Sequence, residues 1–328
     1  MPAVGYRVLA CLAAIAALVV APRAVHAQPA WPSKPVRLVA VFPPGGSVDQ
    51  VARILAAQLS QQTGQQFIVE NKAGASGVIG TAAVAQAAPD GHTLAVVFDT
   101  HAVNPSLIPN LPFNTLRDLS PVMLVGTSPM AIVAHASQPF RNFRDVLAAA
   151  RAAPGSVSFG SIGSGSLGHL AMTQIGNLQG VEFNHVPYKG GGPLMTDAVG
   201  GQVPLSIGTV FLVNPHVRSG RLRALAVTSR TPDAQMPGIA PVAEQGVAGF
   251  EALAWWGVFA PGATPPALAH RIHEELAKAL KSPVVAEKLT AQGMDLVGGS
   301  PEVLDRFQRA EIERWAKVVR ENRIKAGD

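Results

Sequence analysis

Two hydrophobic periodicities take turns along most of the chain. From Val36 to Phe42 every position except Arg37 is apolar, the pattern of a strand covered on both faces. After the break Pro43-Pro44-Gly45-Gly46-Ser47, apolar residues recur at Val48, Val51, Leu55 and Leu59, the spacing of a helix with one buried face. The same alternation predicts a strand over residues 66–70, a loop over 71–77, and a small-residue helix over 78–88 stopped by Pro89-Asp90-Gly91. A third strand, 93–98, delivers Asp99, Thr100 and His101 at its carboxyl end. Strands alternating with helices predict an α/β fold with a parallel sheet, whose ligands sit beyond the strands' carboxyl ends.

A Pro- and Asn-rich passage, 104–121, then leads to a strand over 122–126, and the pattern restarts. The expected elements are a strand over 130–134, a helix over 143–151, a strand over 156–159, and the loop 160–168 opening a helix that contains His169, Met172 and Ile175. A strand over 181–186, the loop 187–193, a short helix to Val199 and a strand over 203–208 follow. Residues 222–229 read as a strand leading back. The chain is thus expected to cross twice between two lobes, with residues 28–127 and 226–328 in one and 128–225 in the other. After a loop-like 231–249, a strand over 255–259 and two amphipathic helices finish the chain. Leu268, Ile272, Leu276 and Leu280, then Leu304, Phe307, Ile312, Trp315 and Val319, are read as core packing.

Four of the predicted loops, 43–47, 71–77, 160–168 and 187–193, are rich in Gly, Ser or other small residues and stand at helix starts. A helix's first N–H groups lack intrahelical partners, and glycine lets a ligand approach the bare backbone, so each loop is a potential anion site. Ser47 is the expected N-cap of the first helix, and Asp49 suits the positive end of its dipole. Amides and hydroxyls from both halves can surround a carboxylate without a buried lysine or arginine beside it. Two lobes closing on a ligand across two crossings is the architecture of a hinge-bending receptor.

Composition narrows the classes. The 328 residues, 48% apolar and 14% charged, exceed one typical domain and can bury a large core. Residues 1–27 read as a secretory signal: Arg7, an apolar run from Val8 to Val20, and Val25-His26-Ala27 before cleavage after Ala27. The run is too short for a membrane span. It holds the sole cysteine, Cys11, so thiolate zinc, iron–sulfur and cysteine-nucleophile chemistry are excluded from the mature chain. The segment carries two arginines and no acid, which lowers the formal charge from +5 to +3. That mild excess fits an anionic ligand, and no basic run points to nucleic acid.

Signals for catalysis are unspecific. Gly163-Ser164-Gly165-Ser166-Leu167-Gly168 matches the dinucleotide fingerprint, but Glu182 stands at the start of the next predicted strand, where a ribose-binding acid would be at its end. No serine lies in G-x-S-x-G. His101, His169 and His185 lie on separate loops without metal-ligand spacing. No cofactor and no metal are expected.

The ordered motifs Trp31-Pro32-Ser33-Lys34-Pro35-Val36, Phe42-Pro43-Pro44-Gly45-Gly46-Ser47-Val48-Asp49, Glu70-Asn71-Lys72-Ala73-Gly74-Ala75-Ser76-Gly77, Pro89-Asp90-Gly91-His92-Thr93-Leu94, Gly160-Ser161 to His169-Leu170 and His185-Val186-Pro187-Tyr188-Lys189-Gly190 carry a resemblance. Over nearly the whole mature chain the sequence resembles the Bug-type receptors of tripartite tricarboxylate transporters. The resemblance implies a periplasmic protein of type II periplasmic-binding-protein fold, two lobes that close over an organic acid and hand it to membrane permease subunits. Carried over by motif, the ligand loops fall on Phe42, Pro44, Gly46 and Asp49, on Ala75 and Ser76, and on Ser161, Gly163, Ser164, Gly165 and His169. Tyr188 is expected to face the cleft, with His185 and Lys189 structural. Thr100, His101 and Thr209, with Phe211, are expected around the ligand's far end. Ala240-Pro241 and Pro261-Gly262-Ala263-Thr264-Pro265 depart from the family's pattern and affect only local turns. The expected function is non-catalytic capture of a small carboxylate by a monomer. An exported enzyme acting on an organic acid, or a sensor docking on a signalling kinase, are the alternatives.

Overall fold

A computed structural model describes residues 31–325. The expected signal segment and its cleavage point lie outside these residues. The first lobe contains β1 (Val36–Ala40), β2 (Phe67–Asn71) and β3 (Thr93–Phe98), parallel and ordered β2-β1-β3. The strand β4 (Leu119–His135) follows, and β9 (Leu253–Pro261) lies antiparallel between β3 and β4. The second lobe adds β5 (Ser158–Ser161), β6 (Asn184–Pro187), β7 (Leu205–Thr209) and β8 (Leu222–Val227), while β10 (Asp295–Gly299) pairs with β4 in the first. The helices are α1 (Ser47–Thr63), α2 (Val78–Ala85), α3 (Thr100–Leu107), α4 (Phe143–Ala152), α5 (Leu167–Gln179), α6 (Gly191–Val199), α7 (Val210–Arg218), α8 (Pro266–Lys281), α9 (Pro283–Thr290) and α10 (Pro301–Glu321).

The two strands expected over 122–126 and 130–134 are one. β4 runs for 17 residues and changes partners midway: up to Pro129 it pairs with β9, and from Met130 it pairs with β7 and β8. Gly126-Thr127-Ser128-Pro129 looks like a break, but Gly126 leaves room for the Met294 side chain and the Asp295 carbonyl. A Cβ there would lie 2.5 Å from that carbonyl oxygen. Ser128 is wholly buried, and its hydroxyl accepts the Phe211 N–H at 3.4 Å. At the second crossing, Thr228 donates its N–H to the Met130 carbonyl at 2.9 Å and its hydroxyl to the Ala252 carbonyl at 2.6 Å. Both crossings therefore run side by side, tied by one buried threonine.

Around these crossings lies the aromatic heart of the core: Trp255, Trp256, Phe98, Phe211 and Phe259 are buried, and Trp256 packs on Phe98 and Phe211 with ring centroids 5.2 and 5.5 Å apart. Four elements went unread in the sequence. Helices α3 and α7 carry internal prolines, Pro105 and Pro215. Helix α9 and strand β10 are short, and an eight- or five-residue element shows little periodicity. The N-cap of α1 is Gly46 rather than Ser47, because Gly46 takes the extended backbone that a cap requires while Ser47 is already helical.

Candidate functional site

Four βα loops meet between the lobes. In the first, Gly45 turns with φ of 80° and donates its N–H to Asp49 Oδ2 at 3.0 Å. Asp49 Oδ1 accepts from Arg53 Nε and Asn71 Nδ2, both at 2.9 Å, and Asn71 Nδ2 also donates to the Phe42 carbonyl. Burial opposes the charge on Asp49, but the Arg53, Gly45 and Asn71 donors outweigh it and hold its pKa below the ordinary value. One carboxylate thus locks the ends of β1 and β2 to the start of α1.

The second loop has four successive residues at positive φ: Gly74, Ala75, Ser76 and Gly77, at 134°, 46°, 51° and 90°. Two of them are not glycine, and left-handed backbone at such residues costs roughly 1–3 kcal/mol each. Surrounding bonds hold the strain in place. Asn104 Nδ2 donates to the Ser76 carbonyl at 3.1 Å, and Ser76 Oγ donates to the Ser164 carbonyl of the other lobe at 3.0 Å. The Gly77 N–H turns back to the Gly74 carbonyl at 3.1 Å and closes the turn.

Across the cleft, the loop after β5 rests on a column of rings. His185 stacks on His169 with centroids 4.1 Å apart and planes within 6°, and Phe159 covers its other face at 5.0 Å. His169 Nδ1 accepts the Gly165 N–H at 3.1 Å, which leaves the proton of a neutral ring on Nε2. Ser161 Oγ lies 2.7 Å from His185 Nε2, and Ser166 caps α5 by accepting the His169 N–H. The fourth loop is pinned by the Tyr188 N–H to the Ser161 carbonyl at 2.9 Å, and the Tyr188 hydroxyl donates to Asp197 at 3.0 Å. Burial and the neighbouring Asp197 raise that phenol to about 12, so it stays protonated.

The lobes touch. Gly190, Gly191 and Gly192 at the start of α6 pack against Pro43, Gly46 and Pro44 of the first loop so closely that a Cβ on Gly192 would stand 2.5 Å from the Pro44 carbonyl oxygen. Beside this seam is a cavity of about 640 Å³, walled by Phe42, Pro43 and residues 73–77 on one side and by residues 162–164 and 187–189 on the other. A nearly filled gap of about 10 Å³ lies between Phe42, Gly46 and Ser47 and Ile162, Gly191 and Thr209.

Of the residues anticipated from sequence, Phe42, Ala75, Ser76, Gly163, Ser164 and Tyr188 line the cavity, and Gly46 and Thr209 line the gap. Pro44 lies on the seam. Asp49, Ser161, Gly165 and His169 border neither space and instead hold the loops from behind. Thr100 and His101 are buried outside both spaces; His101 packs on Phe259, and burial lowers its pKa to about 4. Pro43, Ala73, Gly74, Gly77, Ile162 and Pro187 line the cavity without having been singled out, and Lys189, expected to be structural, lines it too.

Asp99, at the end of β3, is fully buried, and the Leu167 and Thr100 amides lie near its carboxyl without either oxygen completing a hydrogen bond of ordinary geometry. Burial pushes its pKa well above the carboxylate range, and the charge of Glu311 adds to the effect. Among the described residues no cluster of His, Cys, Asp and Glu could hold a metal ion.

The family model for the tripartite tricarboxylate transporter family receptor matches residues 51–324. The chain belongs to this receptor family. It is 39% identical over 298 residues to protein BugT of Bordetella pertussis, covering 90% of this chain and 91% of that one. In structure it is similar to R. palustris Rpa4515 with adipate, with TM-score 0.87 and 33% identity over 90% of this chain and 99% of that chain. It is also similar to MatC of Rhodopseudomonas palustris with bound malate, with TM-score 0.82 and 29% identity over 88% and 100%. The receptor has the family's two-lobed α/β fold and belongs among periplasmic solute-binding proteins.

Proposed function

We propose that this receptor captures a small organic carboxylate between its lobes and delivers it, on hinge closure, to the membrane permease subunits of a tripartite transporter. The observation that carries the reading is the left-handed run Gly74 to Gly77, facing residues 162–164 of the opposite lobe across the 640 Å³ cavity. Strain of this kind persists where function uses it, and here it borders a space whose lining holds no carboxylate to repel a negative charge. The adipate and malate complexes of the related receptors support the same ligand class.

In this reading Phe42, Ala75, Ser76, Gly163, Ser164 and Tyr188 contact the ligand, while Asp49, Ser161, Gly165 and His169 preorganise the loops that do. The lobes divide near residues 127 and 226, a reading supported by β4 exchanging β9 for β7 and β8 after Pro129 and by β8 ending at Val227. The protein acts as a monomer after signal cleavage. Catalysis is no part of the role: the Ser–His side-chain pairs Ser161 with His185 and Ser137 with His135 border neither space.

Thermal-shift screening of dicarboxylates, tricarboxylates and aromatic acids, followed by calorimetry on the best hit, tests the reading. An acid should raise the melting temperature and bind with one-to-one stoichiometry, and mass spectrometry after long incubation should recover it unchanged. Chemical conversion of the acid would favour an exported enzyme instead.

A further inference from the structure

One full charge borders the cavity. The rest of the lining is backbone, hydroxyl and hydrocarbon, and its other ionisable group, Tyr188, is neutral and donates to Asp197. The charge is Lys189, which is exposed and, among the described residues, pairs with no carboxylate. Lys34, Lys72, Lys278 and Lys317 each lie within 4.0 Å of an acid, and Lys281 and Lys288, which have none among the described ion pairs, do not border the cavity. Lys72, one residue before the cavity wall begins, is held by Glu70 at 3.3 Å.

The backbone of Lys189 is fixed at the seam. Tyr188 on its one side is hydrogen-bonded to Ser161, and Gly190 on the other adopts φ of 122°, so close to Pro43 of the other lobe that a Cβ there would stand 2.7 Å from the ring. The stem is therefore anchored while the ammonium stays free to move, as a long lysine allows. In the carboxylate-receptor reading, one carboxylate lies between the strained loop and residues 162–164 opposite. Phe42, Pro43, Ala73, Ile162 and Pro187 present hydrocarbon between. A volume of about 640 Å³ also lies well within the range that holds ligands larger than a lone carboxylate.

We infer that Lys189 recognises a second acidic group, so that this receptor selects dicarboxylates with an apolar middle over monocarboxylates of the same length. The inference rests on the carboxylate-receptor reading and adds a residue that discriminates among acids. Because the ammonium is solvated, its contribution is moderate and falls with added salt.

The test is calorimetric titration of the exported full chain with the unbranched diacids from succinate to suberate and with the monomethyl ester of each, which keeps length and removes one charge. For the best diacid, Lys189→Met should weaken binding about fivefold, the upper end for one ion pair at an exposed site. It should leave the half-ester within about twofold, and Lys189→Arg should restore most of the loss. The ligand-free melting temperature of both variants should match that of the parent protein. Unchanged diacid affinity in Lys189→Met overturns the inference, as does an equal loss for diacid and half-ester, which would make Lys189 a general counter-charge. Monocarboxylates binding where no diacid does would overturn it while sparing the receptor reading. No carboxylate binding at all would overturn both.

Discussion

Gly192→Ala separates closure from folding, because the same methyl group acts with opposite signs on the two. Gly192 lies in the first turn of α6 at an ordinary helical φ, so alanine there favours the helix by about 0.5–1 kcal/mol and should raise the melting temperature of the ligand-free protein. With the lobes together, that methyl would stand 2.5 Å from the Pro44 carbonyl oxygen, with the Pro44 and Gly45 carbonyl carbons at 3.6 and 3.7 Å. These are backbone atoms of a loop locked by Asp49, and they cannot swing aside as a side-chain tip would. Overpacking of this kind costs about 1–3 kcal/mol, charged only to the closed state. Since ligand is bound in that state, affinity should fall roughly 5- to 150-fold. Gly46→Ala is the control, because a Cβ there meets nothing nearer than 3.5 Å and affinity should change little. Calorimetry with paired thermal melts reads both effects. An unchanged affinity in Gly192→Ala would refute the view that binding requires this seam to close.

Three further outcomes follow from individual residues. Asp99→Asn addresses a buried acid whose native pKa is raised: stability is fully present below the ordinary value of 3.8 and declines by about 1.4 kcal/mol per pH unit until the native pKa is passed. Urea denaturation from pH 4 to 8 should show that decline in the parent and a flatter profile in the variant; equal slopes would mean that Asp99 does not titrate as a buried acid. Ser76→Ala removes a hydrogen bond that joins the lobes, so binding should weaken by about 1 kcal/mol, whereas Lys72→Ala loses only a solvated pair with Glu70 and should change affinity much less. Similar losses in both would argue against the assignment of the second loop. Trp256→Ala should destabilise by about 3–5 kcal/mol in denaturant titration, since the ring is wholly buried between Phe98 and Phe211; a loss under 1 kcal/mol would contradict the packing described.

The sequence made the parallel strands and the four loops legible because each pairs a continuous apolar run with a glycine-rich break and a helical stripe. Elsewhere the signal and the structure part company for identifiable reasons. Helix α3 escaped because Pro105 reads as a stop, although a helix can keep a proline where tertiary packing offsets the lost bond. The unity of β4 escaped because Gly126 and Pro129 are turn residues by composition, and only Met294, packed on Gly126, and Phe211, bonded to Ser128, both distant in sequence, show why the strand continues. In the site, Gly163 and Ser164 could be anticipated from their loop. The left-handed backbone of Ala75 and Ser76 could not, since neither residue prefers it. Ile162 passes unnoticed in a loop read for its glycines and serines, and Lys189 is expected to be structural, yet both wall the cavity. His169 and Asp49 belong to the expected loops but border neither space, since spacing alone does not distinguish a side chain that holds a loop from one that enters the cleft.

Small-angle scattering on refolded, ligand-free protein, repeated with a saturating concentration of the acid that most raises the melting temperature, tests lobe closure on a carboxylate most directly. The radius of gyration should decrease on addition, and the liganded curve should match one calculated from the closed arrangement in which Ser76 meets Ser164 and Gly192 meets Pro44. Superimposable curves with the acid demonstrably bound would contradict the account.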